Sequence, residues 1–158
     1  MGADPKPDLR RAWRLIAVDT NLLVYAHRSD SPWHAPARQA LRPLVEGTAT
    51  WAIPWPCIYE FLAITTHHKI YRPPTDLPRA LEQVDALLAS PGAVLLSEPA
   101  SYWPVLRRLL AGGQVTGPRV HDARIAALCL CHGVAELWSA DRDFSRFPEL
   151  RTRNPLIP

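Results

Sequence analysis

Four short apolar runs, LIAV (15–18), TWAI (50–53), AVLLS (93–97) and ELWS (136–139), recur along the chain with helix-length segments between them. Runs of this length, bounded by turn residues, suit strands buried on both faces. The intervening segments carry apolar residues at helical spacing. They are 33–46, ended by Gly47; 57–68 (CIYEFLAITTHH), after the punctuation Pro54-Trp55-Pro56; and 77–89, capped by Asp76 with Pro78 in its first turn. Two more are 100–111, stopped at Gly112-Gly113, and 120–131, ending before Gly133. YRPPT (71–75) reads as a loop and the tail RTRNPLIP (151–158) as a last edge strand. Strand–helix alternation of this kind joins parallel strands by crossovers, so the spacing predicts an α/β sandwich with a mainly parallel central sheet.

At 158 residues the chain suits one compact domain, and after about Arg14 no linker-like stretch divides it. The first 13 residues, MGADPKPDLRRAW, read as a flexible lead-in and residues 14–158 as a single domain. The head lacks an apolar signal core, and no apolar run approaches the roughly 20 residues that cross a bilayer. Cys57, Cys129 and Cys131 form no disulfide framework, and the last two point in different directions on a helix, a poor zinc pair. Plain buried thiols in a reducing cytoplasm are the expectation. Sixteen arginines against two lysines fit phosphate recognition, but a GC-rich genome explains the same bias, so charge alone decides nothing.

The informative residues are carboxylates set where a solvated surface does not explain them. Asp19 and Asn21 flank Thr20 inside the otherwise apolar LIAVDTNLLVYA, and Asp19 is the sole formal charge between Arg14 and Arg28. Glu60 is alone between Glu46 and Lys69, Asp122 opens the apolar helix DARIAALCLC, and Asp141 follows Leu137-Trp138 with Asp143 two residues on. All four addresses, Asp19, Glu60, Asp122 and Asp141, are strand C-terminal ends or the starts of the helices that follow. In an open parallel sheet those ends share one edge, where ligands bind. Carboxylates gathered there repel and take up protons unless a cation neutralises them. Oxygen-only ligands select Mg²⁺ or Mn²⁺, which lowers the pKa of a bound water and shields a phosphodiester under attack. Each acid also has a plain reading: a helix N-cap for Asp122, turn residues for Asp141 and Asp143, a wet helix stripe for Glu60. Asp19, interrupting a core run, is the hardest to dismiss in this way.

This set resembles the PIN-domain family, specifically the VapC-type ribonuclease toxins. The matching pieces are VDTNLLVYA (18–26), CIYEFLA (57–63), HDARIAA (121–127) and WSADRDF (138–144), which together reach over nearly the whole chain after the head. The resemblance implies a three-layer α/β/α sandwich and an acidic metal site built by Asp19, Glu60, Asp122 and Asp141. Asp143 is then a further ligand or outer-shell acid. Thr20 and Asn21 of the Asp-Thr-Asn signature, with Ser139 in place of the commoner threonine, would orient the first aspartate. The resemblance also implies an endoribonuclease that needs Mg²⁺ or Mn²⁺, a homodimer, and a cognate VapB-type antitoxin that holds it inactive.

On that reading Asp19 and Asp122 are the primary ligands with Asp141 close by, and Glu60 positions or deprotonates the attacking water. Arg119, Arg124, Arg142 and Arg146 lie near the acids in sequence and are candidates for flanking RNA phosphates, ordinary solvated helix faces being the alternative. Three other readings compete. An HD-type phosphohydrolase is prompted by His121-Asp122 with His67 and His68, but that family is nearly all-helical and leaves Asp19 and Glu60 idle. A haloacid-dehalogenase-like phosphatase would need an acid where Asn21 stands. A degenerate PIN domain that only binds RNA or protein would lack one of the acids, and none is lost. Trp51, Trp55 and Trp138 read as packing residues, whereas Trp33 and Trp103 are candidates for a dimer or antitoxin surface. His67-His68-Lys69 is read as closing its helix against the dipole. His27 and His34 receive no role.

Overall fold

The computed structural model describes residues 14–158. The lead-in expected over residues 1–13 lies outside the described residues. Five strands, β1 (Ile16–Val18), β2 (Trp51–Pro54), β3 (Ala93–Leu96), β4 (Glu136–Trp138) and β5 (Thr152–Arg153), form one sheet in the order β3-β2-β1-β4-β5, every pair parallel. The chain steps from β1 to β2 to β3 in one direction, then doubles back past β1 to β4. Because such crossovers are right-handed, the reversal moves the helices from one face of the sheet to the other. Helices α1 (Thr20–His27), α2 (His34–Glu46), α3 (Trp55–Thr65) and α4 (Leu77–Leu88) pack together, and α5 (Tyr102–Gly113) packs on α6 (Val120–Cys131). The expected α/β/α sandwich is what forms.

Burial follows strand position. The central β1 and its neighbour β2 bury Ala17, Val18, Trp51, Ala52 and Ile53 completely, while both residues of the edge strand β5 are exposed. Leu22, Phe61, Ile125, Leu128, Leu137, Phe144 and Phe147 close over the two faces. Cys57 and Cys129 are free thiols within this core; Cys131 is only half-buried. Trp51 is buried as expected, and Trp55 and Trp138 pack half-buried against the core. Trp33 and Trp103 are 41% and 60% exposed, as a contact surface would need. No helix among the described residues is long and apolar enough to cross a membrane.

Several elements depart from the expectation in instructive ways. LLVYA, assigned to no element from the sequence, lies in helix α1, which starts directly after Asp19. Helix α3 begins at Trp55, not at 57: Pro54 is its N-cap and Pro56 stands in its first turn, where no amide hydrogen is needed. It stops at Thr65, because the Thr65 and Thr66 hydroxyls donate to the Phe61 and Leu62 carbonyls at 2.8 and 2.7 Å and compete with the helical ladder. His67-His68-Lys69 therefore lies in the following turn and does not close the helix; the two imidazoles stack on each other. Helix α5 runs through Gly112-Gly113 and ends on Gln114 in the left-handed region, with φ 49°. The parallel sheet also removes the nearly all-helical HD fold from consideration.

The sheet rests on close backbone packing where β2 and β3 begin. The Trp51 amide donates to the Gly92 carbonyl at 2.9 Å, and a Cβ on Gly92 would overlap the Ala49 carbonyl oxygen. Gly92→Ala is expected to cost about 1–3 kcal/mol, as overpacking does, read as a lower urea midpoint with an unchanged slope.

Candidate functional site

The sheet order reverses between β1 and β4, and the crevice at that reversal is where open parallel sheets bind ligands. The register sets Val18 opposite Trp138, so the residues that follow, Asp19 and Ser139, leave the two strands side by side. The Asp19 amide continues the ladder by donating to the Trp138 carbonyl at 2.9 Å. Backbone pairing alone thus delivers Asp19 to the reversal point, where it also becomes the N-cap of α1.

Asp19 is 5% exposed, and its two oxygens are occupied by donors from three elements. Oδ1 accepts from the Thr20 amide at 2.8 Å and from the Cys57 thiol on α3 at 3.6 Å. Oδ2 accepts from the Ser139 hydroxyl at 2.6 Å and from Asn21 Nδ2 at 3.4 Å. Asn21 reaches across the crevice as well, donating to Ser139 Oγ at 3.3 Å and accepting from the Ala140 amide at 3.2 Å. Ser139 Oγ further accepts from the Asp141 amide at 3.0 Å. The orienting role expected of Thr20, Asn21 and Ser139 has a concrete geometry: they fasten the ends of β1 and β4 around one carboxylate. Cys57 was not foreseen as part of this set. Burial and the Asp19 charge hold its thiol well above the usual range, so it stays a donor. No sequence pattern marks it, since a buried cysteine in an apolar helix is ordinary.

Burial pushes Asp19 up to about 6, against the pull of the Ser139 and Thr20 hydrogen bonds, with the Glu60 charge adding to the rise. Glu60 lies in the second turn of α3 and accepts from the Thr20 hydroxyl at 2.6 Å. Asp122 stands inside the first turn of α6, whose N-cap is Arg119, so the plain capping reading does not apply to it. Asp141 does act as a turn residue: its Oδ1 accepts from the Asp143 amide at 2.8 Å and caps a short 3-10 helix, Arg142–Arg146. That bond brings Asp143 round toward Asp122.

Asp122, Asp141 and Asp143 each place one carboxylate oxygen within 4.8 Å of the others. Burial raises the Asp122 pKa to about 6, and the Asp141, Asp143 and Glu60 charges push in the same direction. Asp19 falls outside this close group, and Glu60 is the acid whose charge reaches both it and Asp122. The sequence-selected acids therefore converge, in two subsets. One is a hydrogen-bonded pair, Asp19 and Glu60, joined through Thr20. The other is the triad of carboxylates, Asp122, Asp141 and Asp143. Three hard oxygens at this spacing, two of them half-buried, fit a hard divalent cation.

Of the four arginines, Arg119, Arg142 and Arg146 are exposed and, among the described residues, form no ion pair. Arg124 is different: it is half-buried, 3.5 Å from Glu98, with its Nε buried and unpartnered. It ties α6 to the segment after β3. His27 and His34 stand apart from the acids in local contacts: the His27 ring pairs with Thr75 Oγ1 at 3.0 Å and His34 Nδ1 with the Tyr25 carbonyl at 2.9 Å.

Comparison with known proteins shows the family and the fold. The PIN domain family model matches residues 16–150. The chain is 37% identical over 142 residues to Ribonuclease VapC43 of Mycobacterium tuberculosis, a match spanning 90% of this chain and 96% of that protein. Ribonuclease VapC48 of the same organism is 31% identical over 137 residues, 87% of this chain and 94% of the relative. Among solved structures, VapBC2 from Rickettsia felis, bound to a DNA fragment from its promoter, superposes with a TM-score of 0.62 at 20% identity. That match covers 89% of this chain and 98% of the other. Mycobacterium tuberculosis VapC20, described as a Sarcin-Ricin loop cleaving toxin, gives 0.60 at 15% identity, over 82% of this chain and 92% of the other.

The buried acid generates a pH prediction for the metal-free protein. A carboxyl whose folded pKa stands above its unfolded value keeps its proton longer when folded, so stability falls as pH rises from about 4 to about 6 and stays lower above that. For Asp19 the loss is about 3 kcal/mol. In EDTA the melting temperature should be higher at pH 5 than at pH 7.5, and the difference should shrink in Asp19→Asn.

Proposed function

This chain belongs to the PIN-domain family, and we propose that it is a metal-dependent endoribonuclease, a VapC-type toxin that hydrolyses RNA phosphodiester bonds. The observation that carries this reading is the gathering of Asp122, Asp141 and Asp143 beside the Asp19–Thr20–Glu60 link at the point where the sheet order reverses. Residues 14–158 act as one catalytic domain.

Asp122, Asp141 and Asp143 hold the divalent ion, Mg²⁺ or Mn²⁺, with Asp19 completing the set from the end of β1. When bound, such an ion shields the charge of the phosphodiester and lowers the pKa of a water. Glu60 takes up or directs the proton of the attacking water, and the Thr20 hydroxyl on its Oε2 keeps that carboxylate turned toward the acids. Ser139 and Asn21 hold Asp19 in one orientation, so the site does not reorganise during the reaction. Arg119, Arg142 and Arg146, exposed around the 3-10 turns that border Asp122 and Asp141, bind the phosphates to either side of the cleaved bond. Arg124 contributes by fixing α6, through Glu98, more than by contacting RNA.

The acidic cleft needs control in a cell that carries it. A VapB-type antitoxin is the partner, in keeping with the paired VapBC assemblies among the structural relatives. The chain works in the cytoplasm as a homodimer.

Incubation of the purified chain with total cellular RNA tests this. Cleavage should require Mn²⁺ or Mg²⁺ and stop with EDTA. Asp122→Asn should lower it about a hundredfold or more while the far-ultraviolet spectrum is unchanged. RNA binding without chelator-sensitive cleavage would instead mark a non-catalytic module.

A further inference from the structure

We propose that Trp55 and Tyr59 form a stacking platform for one unpaired nucleobase of the RNA, at the sheet edge that carries the acids. The proposal rests on the ribonuclease reading above and adds to it a recognition element for single-stranded RNA.

The two rings stand on the first two turns of α3, with centroids 6.0 Å apart and planes inclined by 21°. Trp55 is half-buried and packs against the core, which fixes the inner ring. Tyr59 is 54% exposed, so the outer ring of the stack faces solvent. An aromatic ring left this open on a well-formed helix forgoes the burial that normally rewards it. Here the exposed ring is also pre-ordered by its stack on Trp55, so a base joining it has little side-chain freedom left to freeze.

The pair is placed by the same helix that builds the acidic site. Trp55 directly follows the end of β2, so the pair starts at the same sheet edge as the acids, while Cys57 and Glu60, on other faces of α3, contact Asp19 and Thr20. In the sheet, α3 follows β2 on one side of β1, while Asp141 and Arg142 follow β4 on the other side. A strand of RNA crossing this edge from α3 toward β4 would have the aromatic pair on one side of β1 and the exposed Arg142 and Arg146 on the other. One side offers a face for a base and the other offers charge for phosphates. Stacking of this kind accepts any base, because every base has a π-face. It excludes a paired base inside an A-form duplex, which has no free face to give. The platform thus selects loops, bulges and single strands without reading sequence.

Two measurements test it separately from the ribonuclease reading. An oligoadenylate carrying one 2-aminopurine is titrated with the full chain in EDTA, where no cleavage occurs. Wild type should quench the fluorophore on binding, Tyr59→Ala should weaken binding roughly tenfold and lose the quench, and Tyr59→Phe, which keeps the ring, should behave as wild type. Equal affinity and quenching in Tyr59→Ala would overturn the platform. So would RNA binding that is intact while sedimentation shows Tyr59→Ala shifted from dimer to monomer, because the surface would then belong to a second copy of the chain. Cleavage of total RNA by wild type with Mn²⁺ serves as the independent check. If that fails while the titration shows the Tyr59 effect, the catalytic reading falls and the platform stands.

Discussion

A carboxylate sealed at the end of the central strand is the constraint around which this molecule is arranged. Asp19 is almost wholly buried, and a bare charge there would cost far more than the fold can spare. Four donors from the ends of β1 and β4 and from α3 reduce that cost. The Thr20 and Asn21 donors come with the start of α1, whereas Ser139 is brought to Asp19 by the parallel register of β1 and β4. The same hydrogen bonds that make the charge tolerable also lock together the two strand ends at which the sheet order reverses. Fold and site are therefore one piece of bonding, with Ser139 and Asn21 belonging to both.

The remaining acids are not accommodated in the same way. Asp122, Asp141 and Asp143 lie close together; burial raises the proton affinity of Asp122, and the Asp141 and Asp143 charges beside it add to the rise. Their only mutual support is the Asp141–Asp143 capping bond. The donors at Asp19 offset its burial only in part, since its pKa still rises to about 6, so it too would gain from a hard cation. The contrast is one of rigidity: Asp19 is held in place by its donors, and the triad is the looser part that the cation would draw together.

Much of this was legible in the sequence because it depends on local rules. The bounds of α6 match the apolar run between Val120 and Cys131, and Asp76 caps α4 as its position before Leu77-Pro78 implies. The acids were legible for the opposite reason, as charges where local rules forbid them. What stayed hidden depends on competition between neighbours. Helix α1 is short and holds Thr20, Asn21 and Val24, residues of modest helix propensity, so only its packing on α2 and α3 reveals it. The Gly112-Gly113 pair reads as a stop, yet the helix carries through it to a left-handed Gln114. The partition of the acids into a bonded pair and an open triad, like the thiol of Cys57 on Asp19 and the tie between Arg124 and Glu98, is set by side-chain geometry between distant segments. Spacing along the chain carries no record of it.

The central claim is that this acidic edge is a divalent-cation site, and direct titration of Mn²⁺ into the full chain at pH 7.5 tests it without reference to any RNA. Calorimetry should show saturable binding with a matching rise in melting temperature, and Asp143→Asn or Asp122→Asn should remove both. Absence of saturable binding, or binding that survives both substitutions unchanged, would contradict it.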